Sequence, residues 1–109
     1  MRRLALPLLA VLVDAAGSNP GASIVQHGAP GGIIPCKVCH GMQLQGNAAM
    51  GAPPLAGLPE GTTIAALAAI AAGQQGKNFA MRDVARALTP VQRKAVAAYL
   101  AGLKRGPAS

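Results

Sequence analysis

Two thiols and an imidazole stand within five residues of one another, Cys36-Lys37-Val38-Cys39-His40. These are the only two cysteines of the 109-residue chain. Several chemistries use such a pair. A thiol–disulfide couple would need a βαβ context, and no run of the sequence alternates as a strand should. A zinc site would need two further ligands, with no second cysteine pair to supply them and only His27 in reserve. A plain structural disulfide would suit an exported chain. The remaining reading takes all three residues together. In Cys-x-x-Cys-His, each thiol can form a thioether with one vinyl group on a porphyrin edge. The next residue then offers its imidazole to the iron, the pattern of covalent haem c attachment.

The composition favours a chain that folds around something. Apolar residues make up 51%, yet the aromatics are only Phe79 and Tyr99, and alanine supplies much of the rest. Alanine buries little area, and buried area is what offsets chain entropy. A domain this small is marginal without a staple, metal or cofactor, and a haem would fill the missing volume.

The first residues read as an export signal. Met1-Arg2-Arg3 is followed by an apolar run from Leu4 to Val13 and then by small polar residues, which is the order of a secretory signal peptide. The run is well short of the ~20 residues needed to span a bilayer. Residues 1–17 are therefore expected to be removed, with cleavage as late as residue 23 allowed, leaving one domain over 18–109. The expected location is periplasmic, with inner-membrane association through a partner complex as a variant of it.

The positioning elements read as helices throughout. Gly28 to Gly32 and Gly46 to Pro59 are rich in glycine and proline and read as loops. Thr62 or Thr63 is expected to cap a helix reaching Ala72, with Ile64, Leu67, Ala68 and Ala71 on one face. A loop from Gln74 to Met81 leads to a short helix at Val84 to Leu88. Thr89 then caps a last helix, with Pro90 at its first position and Val91, Ala95, Val96, Tyr99, Leu100 and Leu103 as its apolar stripe. Gly106-Pro107 stops it.

Beyond the cysteine motif, the chain resembles a short bacterial class I cytochrome c from about Cys36 to Leu103. The resemblance rests on Cys36-x-x-Cys39-His40-Gly41, on Gly46, on Pro53-Pro54-Leu55-Ala56-Gly57, on Met81 followed by Leu88-Thr89, and on the ending Val96 to Leu103. It implies an all-α fold wrapped around one covalent haem. His40 would be the proximal iron ligand and Met81 the distal one, and the Pro53 carbonyl would accept a hydrogen bond from His40. Met50 is the competing thioether and His27 the competing imidazole, while Met42 lies too close to His40 to reach the opposite face.

The departure from the family is at the N-terminus. Pro30, Gly31, Gly32 and Pro35 leave room only for a turn around Ser23 to His27, in place of a full helix packed on the C-terminal helix. Tyr99 and Leu103 are then left to cover the haem edge or that turn.

The resemblance implies a single-electron carrier rather than an enzyme, with a haem enzyme or gas sensor with an open distal site as the alternative. The net charge of +7 suits a redox partner with an acidic docking surface, such as a membrane dehydrogenase or oxidase. Nucleic acid is disfavoured, since the cations are scattered and base-stacking aromatics are almost lacking.

Overall fold

A computed structural model describes residues 19–74 and 78–105. The signal-peptide reading and the Gly106-Pro107 stop lie outside the described residues. Among them there are five α-helices and one 3-10 turn, with two isolated β-bridges and no strand. None of these helices is long and apolar enough to cross a membrane.

Helix α1, Pro20–His27, corrects the expectation of a mere turn at Ser23 to His27. Its start lies upstream of that segment. The Asn19 side chain accepts a hydrogen bond from the Ala22 N–H at 3.0 Å, and Pro20 stands where its missing N–H costs nothing. The glycines and prolines from Gly28 onward follow the helix and do not interrupt it. Gly28 turns the chain at φ 79, and a Cβ there would overlap the Ile33 carbonyl oxygen.

The helix–helix crossing is also present. Gly21, Ile24 and Val25 form a buried face at i, i+3 and i+4, and α1 packs on the last helix. The approach is so close that a Cβ on Gly21 would overlap the carbonyl oxygen of Ala95. Tyr99 is partly buried against the same core.

Helix α2, Cys36–His40, is a single turn ended by Gly41, and a 3-10 turn covers Ala48–Met50. Helix α3, Glu60–Ala71, begins before the expected threonine cap. The Pro59 carbonyl accepts from the N–H groups of Thr62 and Thr63, at 3.0 and 3.2 Å, and Glu60 places a carboxylate in the first turn. Thr63 is consequently inside the helix and buried, and Ala68 is exposed. The core face is Thr63, Leu67, Ile70 and Ala71.

Helix α4, Phe79–Ala87, starts earlier than expected, and Met81 belongs to it rather than to a loop. The Asn78 side chain accepts from the Met81 N–H at 3.0 Å and fixes that start. Helix α5, Pro90–Ala101, opens as the sequence indicates. Gln92 N–H donates to Thr89 Oγ1 at 3.1 Å while Thr89 N–H donates to Gln92 Oε1 at 2.9 Å, a reciprocal capping box. Val96, Ala97 and Leu100 are buried on it, whereas Val91 is 78% exposed and outside the stripe. Helix α3 packs on both α4 and α5, so α3 to α5 form one wall of the domain.

Candidate haem-binding cleft

Between that wall and the segment from Ile34 to Leu55 lies a cleft of about 250 Å³, open at its mouth. Cys36, Cys39 and His40 line it from α2, Pro53 and Leu55 from the loop, and Leu67, Met81, Val84 and Leu100 from the helical wall.

The α2 turn explains the cysteine spacing, since residues three apart share a face of a helix. Both thiols are free and half-buried, and both reach the cleft. Burial pushes the Cys36 thiol above its ordinary value. A hydrogen bond from its own backbone opposes this, and nearby Cys39 adds a smaller upward push. Cys36 therefore stays protonated at neutral pH in the unmodified chain.

His40 is buried, with 7% of its surface exposed. Its Nδ1 lies 2.8 Å from the Pro53 carbonyl oxygen. A carbonyl can only accept, so Nδ1 carries a proton, and in the neutral ring Nε2 is then the nitrogen with the lone pair. The loop is held for this contact. The Leu44 carbonyl accepts from the N–H groups of both Leu55 and Ala56, at 2.9 and 3.1 Å, and the Gly46 N–H donates to the His40 carbonyl at 2.7 Å. Leu44 adopts φ 58, uncommon for a branched residue, with its side chain 1% exposed. Sequence reasoning missed Leu44, because nothing in a leucine signals a left-handed turn.

Met81 is half-buried and points with Val84 and Leu88, at i, i+3 and i+7, to the cleft. Met50 also lines the cleft but is 52% exposed. Met42 is 71% exposed, and neither it nor the exposed His27 lines the cleft. Asn78, which caps α4 at Met81, was also missed. Its signal was an Asn three residues ahead of a methionine at the start of a helix.

These residues fit a covalent haem. Two free thiols at the attachment spacing, a buried imidazole with Nδ1 on the Pro53 carbonyl and a thioether share one largely apolar cleft. The stock of donors is that of a haem c site.

Comparison with known proteins gives the same result. The family model for cytochrome c matches residues 34–104. No curated protein matches the chain significantly by sequence. Among solved structures, cytochrome c4 from Pseudomonas stutzeri superposes with a TM-score of 0.74 at 28% identity, over 83% of this chain and 50% of that one. Cytochrome c4 from Acidithiobacillus ferrooxidans gives 0.67 at 36% identity, over 76% and 48%. The thiosulfate dehydrogenase TsdBA from Marichromatium purpuratum gives 0.72 at 33% identity, over 83% of this chain but 19% of that one. The chain thus spans half or less of the length of each. A match over the whole stretch from the cysteine motif to the last helix, on a fold shared with two c4 cytochromes, places the chain in the cytochrome c family, whose members bind haem c covalently.

Proposed function

We propose that the chain is a monohaem electron-transfer domain with Cys36 and Cys39 as the thioether attachment points and His40 and Met81 as the axial iron ligands. Haem held there supplies an iron that cycles between ferric and ferrous. The observation that carries the reading is the meeting of His40 and Met81 on one cleft with the two cysteines, with the His40 Nδ1 proton held by Pro53.

The chain's own residues account for each requirement. Pro53 fixes the His40 ring and raises its basicity as a ligand. The Met81 thioether, a soft donor, favours the reduced iron and so raises the potential. Leu67, Val84 and Leu100 keep water from the buried side of the cleft. His40 and Met81 would both be given to the iron, which would leave no open position for a substrate and supports a carrier rather than an enzyme.

The chain operates after export to the periplasm, free or as the haem module of a larger membrane-associated dehydrogenase or oxidase. Its net charge of +7, with Lys94, Lys104 and Arg105 exposed, suits an acidic redox partner. Reduced protein should therefore bind carbon monoxide slowly if at all. Rapid binding would show an open distal position and favour a gas-binding role. Export is tested by fractionation, with the coloured protein expected in the periplasmic fraction.

A further inference from the structure

The cleft wall contains one polar group that the electron-transfer reading does not use. Thr63, on the first turns of α3, is 5% exposed, and its Oγ1 is wholly buried without a hydrogen-bond partner. It lines the same cleft as Leu67, Met81 and Val84. A threonine inside a helix commonly satisfies its hydroxyl on the carbonyl four residues back. Here that carbonyl, Pro59, is engaged by the N–H groups of Thr62 and Thr63, and the hydroxyl makes no bond to it. A buried hydroxyl left unpaired is destabilising, and an apolar side chain of the same shape would avoid the cost.

A haem brings two carboxylates into a cleft that no Lys or Arg lines among the described residues. A carboxylate inside a protein needs donors. The axial sulfur of Met81 is a weak acceptor by comparison, and hydrogen bonds to an ionised oxygen are the stronger ones. We propose that Thr63 is a positioning residue whose hydroxyl donates a hydrogen bond to a haem carboxylate, fixing the porphyrin in the cleft from the α3 side. This rests on the haem reading above.

The test compares Thr63→Val, which keeps the shape and removes the donor, with Thr63→Ser, which keeps the donor. Both are made in the haem-loaded protein, and retained covalent colour shows that the haem reading stands whatever Thr63 does. In the Val variant the thermal midpoint should fall by several degrees, and the haem carboxylate band in the reduced-minus-oxidised infrared difference spectrum should shift. The Ser variant should keep the wild-type band. A higher midpoint in Thr63→Val would mean that the hydroxyl is unpaired in the loaded protein, and would overturn the proposal. An unmoved carboxylate band would overturn it too, including the case in which only the methionine–iron absorption changes.

Discussion

The carbonyl oxygen of Pro53 stands 2.8 Å from Nδ1 of His40, across thirteen residues of chain. One hydrogen bond thereby sets the tautomer, the ring orientation and the basicity of the imidazole. It is held in turn by the Leu44 carbonyl, which clamps the two residues after Pro54. A change that loosens the loop should therefore be felt at the iron. Leu44→Gly would relieve the φ 58 strain but remove a side chain that is 1% exposed. We expect net destabilisation, since emptying a buried leucine site costs about 2–5 kcal/mol. Thermal unfolding of the loaded protein measures it, and an unchanged or higher Tm would contradict this packing.

Replacing Met81 by Ala should remove the soft axial donor. The expected outcome is a lower reduction potential, loss of the weak long-wavelength absorption of ferric methionine-ligated haem, and fast carbon monoxide binding. Met50→Ala should leave all three unchanged. If the two variants exchange behaviour, the exposed loop methionine is the ligand.

The α1–α5 crossing makes a packing prediction with a built-in control. Gly21→Val would force the helices apart at Ala95, and overpacking costs about 1–3 kcal/mol, each kcal/mol being worth roughly 4–8 °C in a domain of this size. Gly61 is also helical but has open space where a Cβ would stand. Gly61→Ala should be neutral or stabilising by up to about 1 kcal/mol. Equal Tm values for the two variants would mean that the crossing does not hold the fold.

How legible this was in the sequence differs between elements for identifiable reasons. The Cys36–His40 turn and the Thr89-Pro90 helix start are local signals, complete within a few residues, and the structure has both where the sequence puts them. Helix α1 reads as a turn in the sequence because Pro30, Gly31, Gly32 and Pro35 count against it, although all four follow its end, and its contact residue is a glycine. Propensity counts Gly21 against a helix, while the need for it comes from Ala95, more than seventy positions away. Thr62 or Thr63 is the cap expected from the sequence, where Pro59 stands, because Thr serves equally as a cap or as a buried side chain. Only the Pro59 carbonyl, already taken by two N–H groups, distinguishes them. Met81 was picked out without its helix, since the Asn78 cap that sets it on α4 is a single side chain in a loop.

The shortage of large side chains in the core leads to a prediction about the unmodified chain. The Cys36→Ala, Cys39→Ala double variant, made without haem, should be largely unfolded, because among the described residues nothing else fills the cleft. Circular dichroism on heating should show no cooperative transition. A sharp one would mean that the helices fold without the group.

The most direct test of the central claim is the absorption spectrum of the purified protein after acid–acetone extraction, with the haem quantified in alkaline pyridine. The account predicts that the colour stays with the polypeptide, at one haem per chain, with the band position of a haem whose two vinyl groups are saturated by thioethers. Colour lost to the solvent, or a colourless protein with two titratable thiols, would contradict it.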